Sequence, residues 1–413
     1  MIASLPESPD SGILPLVTDA PPSANKPARV DELDGLRGLL ALWVAVSHIL
    51  AWTGHWENPL PRRLSGAWDV FVGAGPAVDT FIILSGFAIS FLIHKRHQSY
   101  AGFMRGRCFR IYPVYLFCLA LGIGTSFLTP AILETAGWKQ TIYFRWVEAL
   151  AANESTAFGS HVFWHLTLLN GLLTKDFLPG ATGTLLVPAW SITLEWQYYL
   201  VAPFLARGVR SGVGLLVIGL AAIAGIHFAS HWQNPQLSFF PAQLPLFLIG
   251  IGSYHLYARL SEASGFRPLA SVSAAVLLLC AVFTGWHPVA LTAWALGFGC
   301  IVVRGNDPLA RLLGLIRTTL LHPWLQHLGK ISFPLYLVHW PVIIVILHVM
   351  LRLSPGMSAQ SALVILSATA IPAILIAADL IHRIVEKPMM DFGKKFDRRP
   401  SPVKPAAAEP AGE

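Results

Sequence analysis

Two ionisable side chains stand in the first long apolar stretch of the sequence. Arg37 lies near the start of DELDGLRGLLALWVAVSHIL, and His48 follows with ten residues between them. On a helix that separation makes about three turns and ~16 Å, so both side chains share one face, with His48 near mid-bilayer and Arg37 at the inner interface. Polar groups inside hydrocarbon are costly, and imidazole titrates near neutral pH, so we interpret His48 as functional; a structural hydrogen bond is the alternative. Arg37 could equally be an interfacial anchor.

Arg107 and Arg110 are three residues apart in FMRGRCFRIYP and should share one helix face at the cytoplasmic interface. Paired guanidinium groups suit a ligand with several phosphates, although positive-inside anchoring explains them equally well. Glu195, in PAWSITLEWQYYL, is predicted ~9 Å below the outer surface, near the depth of His48. A carboxylate there needs a partner, either His48 or a substrate hydroxyl, and a structural ion pair is the alternative.

Four further side chains are weaker candidates for contact with a substrate. Asp79 could pair with a buried cation, but we favour a cap at the outer start of its helix. Ser85 precedes Gly86 at a point where helices can approach closely, and Trp190 fits an aromatic belt at the membrane surface. His339 precedes Pro341 in GKISFPLYLVHWPV, and we favour a structural role for it beside a proline kink.

The composition indicates a polytopic membrane protein. Of 413 residues, 54% are hydrophobic and 12% are charged, about half the charge of a soluble domain. The net charge of +7 reflects Lys and Arg beside apolar spans, which indicates membrane orientation rather than nucleic-acid binding. The four cysteines lack metal-ligand spacing, so we predict core residues and no metal. The predicted spans are 35–54, 76–94, 111–129, 189–206, 213–230, 242–258, 269–285, 288–303, 331–350 and 360–384.

Ten spans with both termini in the cytoplasm place every basic cluster on the inner side. This gives an all-α bundle of about ten transmembrane helices over residues 31–390, between disordered cytoplasmic tails at 1–30 and 391–413. No signal peptide is predicted at the N-terminus. Within 131–188 we favour an outward loop with a short re-entrant or interfacial helix around 161–174, and a hairpin of two short spans is the alternative. Pro388 is predicted to stop the last helix, beside a salt bridge between Arg383 and Glu386.

Six blocks occur in one order along about residues 31 to 390: LDGLRG with Arg37 and His48, VDTFIILSGF, RCFRIYP with Arg107 and Arg110, WSITLEWQYYL, ISFPLYLVHWPV and VEKP. In this the chain resembles integral-membrane acyltransferase family 3, the sugar and polysaccharide O-acyltransferases. It departs from the family at Thr80, where phenylalanine is common.

The resemblance implies a ten-span acyltransferase of the bacterial inner membrane, with acyl-CoA, usually acetyl-CoA, as cytoplasmic donor and a carbohydrate or glycoconjugate hydroxyl as acceptor. It implies that His48 is the catalytic histidine, Arg37 its paired arginine, and Arg107 with Arg110 the second arginine motif. We therefore expect His48 to deprotonate the acceptor, with Glu195 orienting or balancing it and the arginines holding CoA. A covalent acyl-histidine relay is the alternative mechanism. The alternative is a proton-coupled transporter or flippase of a lipid-linked sugar. The paired arginines and the absence of internal repeats favour the enzyme.

Overall fold

The computed structural model describes residues 30–55, 72–96, 98–209, 211–231, 238–262 and 287–396, and these contain helices and connecting turns but no strand. In chain order the helices are α1 Asp31–Trp52, α2 Gly75–Arg96, α3 Tyr100–Ser126, α4 Thr129–Thr135, α5 Ile142–Thr156, α6 Phe158–Thr167, a 3₁₀ turn Asn170–Leu172, α7 Ala189–Gly208, α8 Gly212–His231, α9 Phe240–Glu262, α10 Pro288–Val302, α11 Pro308–Leu320, α12 Pro323–Leu353, α13 Ala359–Ile381, a π turn His382–Glu386 and α14 Lys387–Lys395.

The described helices agree with an all-α membrane protein. Every predicted span overlaps one of them except 269–285, which lies outside the described residues. Among the described residues, five helical segments are long and apolar enough to cross a bilayer: Asp31–Trp52, Gly75–Lys95, Tyr100–Ser126, Pro323–Leu353 and Ala359–Lys395. The number of ten spans and the cytoplasmic placement of both termini remain predictions.

Helix starts follow local sequence signals. Ser99 and Ser358 accept hydrogen bonds from the backbone N–H groups three residues ahead, and Asp307 does the same for α11. These side chains satisfy N–H groups that have no partner inside the helix. The 31-residue helix α12 continues through Pro334 and Pro341, so its prolines do not divide the span.

The C-terminal end of the last span differs from the prediction. Pro388 does not stop the helix, because α14 runs on to Lys395 after a single π turn. Proline is tolerated in the first turn of a helix, where its missing N–H group would have no partner. The predicted tail at 391–413 therefore begins inside a helix.

Residues 131–188 form short helices and turns. The helix Phe158–Thr167 overlaps the predicted interfacial segment at 161–174, but α5 precedes it as a second helix of 15 residues. Leu178, Leu185 and Leu186 are buried where the chain returns to α7. This region is called the outer cap below, after the outward side on which the sequence predicts it.

Close helix contacts hold the bundle around its core. Helix α1 packs most extensively against α12, and α2 against α9. A Cβ atom added at Gly86 would collide with the carbonyl oxygen of Phe247, and one at Gly250 would lie 2.7 Å from the N atom of Phe87. Larger residues would therefore separate α2 from α9. Of the Ser85–Gly86 pair, which the sequence predicts to allow close helix packing, it is Gly86 that makes the close contact.

The cysteines in the described ranges are Cys108, Cys118 and Cys300, and all three are free thiols. Cys118 and Cys300 are buried and Cys108 is partly buried. Cys280 lies outside the described residues. The described part of the chain has no cluster of three His, Cys, Asp or Glu side chains able to hold a metal ion.

Candidate functional site

A cavity of about 650 Å³ extends between α1, α2, α3, α7, α12 and the C-terminal helix. Its volume is within the range of small-molecule sites. It follows α2 from Leu92 to Val78, a distance of ~21 Å at 1.5 Å per residue. Arg37, Arg107 and Arg110 all line it. The structure therefore brings the three predicted arginines to one ligand-sized space.

Arg37 and Arg107 differ in their partners. The Arg37 guanidinium contacts Asp34 Oδ1 at 3.3 Å, one turn earlier on α1. Arg107 lies with its guanidinium carbon 5.6 Å from the ring centre of Tyr199, which is a cation–π distance. Its buried Nε atom has no hydrogen-bond partner among the described residues.

Arg110 is held by the C-terminal segment. Its Nη1 atom donates to Oε1 of Glu386, a side chain with 0% exposure, and also contacts Met390 Sδ at 3.2 Å. Glu386 Oε2 is 2.7 Å from His382 Nδ1 across the π turn. The predicted salt bridge between Arg383 and Glu386 is therefore wrong: Glu386 pairs with Arg110, and Arg383 pairs with Asp379 at 2.7 Å. Sequence proximity suggested the wrong partner, because α3 lies against the π turn.

Three lysines that the sequence analysis did not single out also line the cavity. Lys330 and Lys387 are exposed, and Lys394 pairs with Asp391 at 2.7 Å. Lys330 and Lys387 lie inside the quoted stretches GKISFPLYLVHWPV and VEKP, beside apolar spans. That position is the sequence feature from which they could have been identified as site candidates. What the sequence did not provide was the contact of α14 with α3.

Glu195 lies in the middle of the cavity wall rather than against His48. Its Oε1 atom accepts hydrogen bonds from Ser85 Oγ at 3.2 Å and from the hydroxyl of Tyr199. Tyr199 in turn lies beneath Arg107, so Glu195 belongs to the arginine layer. The expected pairing of Glu195 with His48 is absent from the described structure, because Glu195 bonds to Ser85 and Tyr199 while His48 stacks on His339 of α12. The i to i+4 spacing of Glu195 and Tyr199 was the missed signal.

His48 and His339 form a stacked pair. Their ring centres are 5.1 Å apart with an interplanar angle of 20°, and the Trp340 ring meets His48 edge-on at 5.3 Å. His339 has 0% exposure. Its Nδ1 contacts the carbonyl oxygen of Leu335 at 3.3 Å, and since a carbonyl only accepts, we assign the proton to Nδ1 and a lone pair to Nε2.

Several polar atoms beside this pair are buried without a hydrogen-bond partner among the described residues. They are His48 Nδ1, His339 Nε2 and Trp52 Nε1. Val44 and Trp52, one turn either side of His48 on α1, are 1% and 0% exposed. The half-buried His48 ring therefore lies on a face that is packed inside the bundle, and not on a lipid-facing one. His339 contacts the Leu335 carbonyl, whereas the carbonyl that Pro341 frees is that of Leu337.

The cavity ends one aromatic layer before His48. Tyr336 is the outermost residue of α12 that lines it, and its hydroxyl is 2.7 Å from Ser191 Oγ. The His339 ring centre lies 6.2 Å from that of Tyr336, and His339 is not among the residues that line the cavity. Tyr336 lines the cavity whereas His48 and His339 do not, so the cavity stops short of the histidine pair.

Asp79 and Trp190 lie outside the cavity lining. Asp79 Oδ2 is 2.6 Å from Nδ1 of His287, the residue that precedes α10, so the carboxylate pairs with a histidine rather than capping α2. The hydrogen bond to Asp79 raises the pKa of His287 above its usual value, and partial burial opposes that shift. Trp190 is half-buried and packs against the hydrophobic core.

The outer cap contains a buried polar group that sequence analysis missed. His161 Nδ1 is 2.9 Å from Thr184 Oγ1, and Asn170 donates to the carbonyl of Ala181 at 2.8 Å. His165 contacts the carbonyl of His161 at 2.8 Å. Burial lowers the pKa of His165 to about 4 and also lowers that of His161. The four-residue spacing of the histidines in HVFWH could have indicated this group. It was missed because no long apolar span surrounds the two histidines.

Comparisons with known proteins agree on one activity class. The sequence model of a family described as an acyltransferase domain, acyltransferase family 3, matches residues 30–381. Acyltransferase MdmB of Streptomyces mycarofaciens is 26% identical over 392 residues, which cover 88% of this chain and 92% of that protein. No solved structure matches this chain significantly.

Proposed function

The chain belongs to acyltransferase family 3, whose model covers residues 30–381, and from this premise we propose that it is a membrane O-acyltransferase with acetyl-CoA as its cytoplasmic donor. It transfers the acetyl group to a hydroxyl of a carbohydrate or glycoconjugate, in the bacterial plasma membrane. Family membership supports an acyltransferase of membrane-embedded type. The donor, the acceptor and the residue roles below belong to the proposal.

One observation carries it: a basic, ligand-sized cavity ends one aromatic layer below a stacked histidine pair with unpartnered nitrogens. Buried polar atoms normally find a partner, and those that do not often await a ligand or serve catalysis. His48 Nδ1, His339 Nε2 and Trp52 Nε1 are such atoms. Their proximity to a space lined by Arg37, Arg107 and Arg110 supports a phosphate-bearing donor whose acyl end approaches the histidines.

His48 is the general base in this mechanism. It takes the proton of the acceptor hydroxyl while the oxygen bonds to the thioester carbonyl carbon, and it returns that proton to sulfur as the carbon–sulfur bond breaks. The Trp52 N–H is a donor able to stabilise negative charge on the carbonyl oxygen. The products are the acyl ester and free CoA thiol, so protons and electrons balance.

Two side chains set conditions on this path. Tyr336 must leave Ser191 for the thioester to reach His48, since it forms the end of the cavity. Glu195, which the sequence predicts beside His48, is instead bonded to Ser85 and Tyr199 along the cavity wall. We assign Glu195 to positioning the extended arm of the donor.

The decisive substitution is His48→Ala, assayed in membranes for transfer of labelled acetyl groups from acetyl-CoA to extracted glycans. Loss of a general base should lower the rate by roughly 10²- to 10⁴-fold. His55→Ala is the matched control, because His55 lies just past the same helix and bonds to Thr53 at 3.1 Å. Near-wild-type transfer by His48→Ala at normal protein level would remove His48 from the chemistry.

The donor and acceptor are tested together with purified protein. Acyl-CoA donors of different chain length are incubated with candidate glycans, and products are identified by mass spectrometry. Acetylated glycan with release of free CoA supports the proposal. If no glycan is modified and no CoA is released from any of the donors, including acetyl-CoA, the proposal is contradicted.

A further inference from the structure

The cations around the cavity divide into two groups according to their partners. Arg37, Arg110 and Lys394 each contact a carboxylate, those of Asp34, Glu386 and Asp391. Arg107, Lys330 and Lys387 also line the cavity, and within the described ranges none of them has a carboxylate oxygen within salt-bridge distance, although Lys387 interacts at longer range with Asp391. A cation that already has a carboxylate partner contributes less net charge to a bound anion.

Arg110 is the most strongly neutralised of the paired cations. Glu386 has 0% exposure and also contacts His382, so its carboxylate is committed to this cluster. The guanidinium carbon of Arg110 lies 5.6 Å from the ring centre of Phe333 on α12. Arg110 therefore joins α3, α12 and the π turn, which is a structural position. A π turn inside a helix often marks a functional site.

Arg107 has the opposite character. Its guanidinium covers the ring faces of Phe103 and Tyr199 at 5.9 and 5.6 Å, and those contacts leave its N–H groups available for an anion. Lys330 and Lys387 belong to α12 and α14, so the unpaired charges face the cavity from three different helices.

We propose that Arg107, Lys330 and Lys387 bind the phosphate groups of the donor, and that Arg110 is a positioning residue which ties the C-terminal helix to this site. The proposal rests on the donor class proposed above. Coenzyme A carries a diphosphate and a phosphomonoester, with about three to four negative charges near neutral pH. Three unpaired cations from three helices match a ligand with several separated charges. The site thus differs from the trio of arginines that the sequence predicts.

The test measures binding of CoA and of acetyl-pantetheine, which lacks the nucleotide phosphates, to purified protein by calorimetry. Lys330→Gln and Lys387→Gln should each weaken CoA binding by about tenfold, and Arg107→Gln by roughly ten- to a hundredfold. Binding of acetyl-pantetheine should not change. The control is Lys395→Gln, on the same helix as Lys387 but 6.0 Å from the Phe392 ring and outside the cavity lining; it should stay within about twofold.

Arg110 needs a separate arm, because removing one partner of a buried pair can destabilise the fold. Arg110→Gln should lower the melting temperature, and Arg110→Gln combined with Glu386→Gln should restore much of it. That double variant should bind CoA within about threefold of wild type. A loss as large as that of Arg107→Gln would show that Arg110 itself contacts phosphate and would overturn its assignment.

Failure of this proposal is distinct from failure of the proposed function. Wild-type binding of CoA with no loss in the lysine variants overturns the phosphate site alone. Phosphate-dependent CoA binding without any acyl transfer overturns the function and leaves the site intact. If wild type binds neither CoA nor acetyl-pantetheine, both proposals fail.

Discussion

The two ends of the cavity axis differ in charge and in access to solvent. At one end, Arg107, Lys330 and Lys387 are half-buried or exposed cations. At the other, His339, Trp52 and Trp340 are almost fully buried around His48. The first end can hold a solvated anion, whereas the second favours neutral groups, because burial penalises charge.

This difference separates recognition from chemistry. Charges near solvent are screened by salt, so interactions at the cationic end should weaken as ionic strength rises. A dry environment strengthens hydrogen bonds and excludes competing water. We therefore expect substitutions at the cationic end to change donor affinity and substitutions at the histidine end to change turnover.

The largest effect outside His48 concerns the outer cap. Its buried histidines, like those at the histidine end of the cavity, disfavour charge, so we expect the fold to be sensitive to acid. Burial lowers the pKa of His165 to about 4, against about 6.5 in an unfolded chain. The contribution of His165 to the free energy of unfolding is thus complete above about pH 6.5. It is lost as pH falls towards 4, because the unfolded state binds a proton at a higher pH than the folded state does. The loss amounts to about 3 kcal/mol. His165→Asn should flatten the fall in melting temperature between pH 7.5 and 5, with the remaining slope due in part to His161.

His322→Asn serves as control for that measurement. His322 is exposed and accepts a hydrogen bond from the backbone N–H of Trp324 at the start of α12, a role that asparagine can keep. This variant should retain the wild-type slope. A slope in His165→Asn as steep as that of wild type would show that acid acts elsewhere.

The next effect tests the histidine end directly. His339→Phe keeps a ring to stack on His48 but removes the buried Nε2 acceptor. We expect turnover to fall by roughly ten- to thirtyfold through loss of one hydrogen bond to substrate or water, with unchanged CoA affinity. Kinetics and calorimetry on the same preparation separate the two quantities. Weaker CoA binding with normal turnover would place His339 at the donor end and break the comparison.

Much of this arrangement follows from the sequence. Helical spans were predictable because apolar stretches of membrane length leave few alternatives, and the cost of buried polar groups singled out His48 and Glu195. The arginine pair does lie at one cavity. Depth along a helix was also informative, since a simple rise per residue separates His48 from Arg37.

The predicted depth of a residue along its helix does not show which side chains of other helices it contacts. Glu195 and His48 were expected together, yet Glu195 bonds to Ser85 on α2 and His48 stacks on His339 of α12. Glu386 was paired with Arg383 by proximity, whereas tertiary contact gave it Arg110. The position of the Tyr336 side chain depends on its bond to Ser191 on another helix, and no local pattern in one sequence specifies such a contact.

The smallest effect decides to which end Glu195 belongs. Ser85→Ala removes one hydrogen bond to Glu195 and leaves that of Tyr199, a loss of about 1 kcal/mol or roughly fivefold. Because Tyr199 lies beneath Arg107, the change should appear in donor affinity, with turnover at saturating donor preserved. Ser90→Ala, on the same helix but outside the cavity lining, should alter neither. If turnover falls while CoA affinity holds, Glu195 serves His48 as the sequence predicts, and the boundary between the two ends moves inward past Ser85.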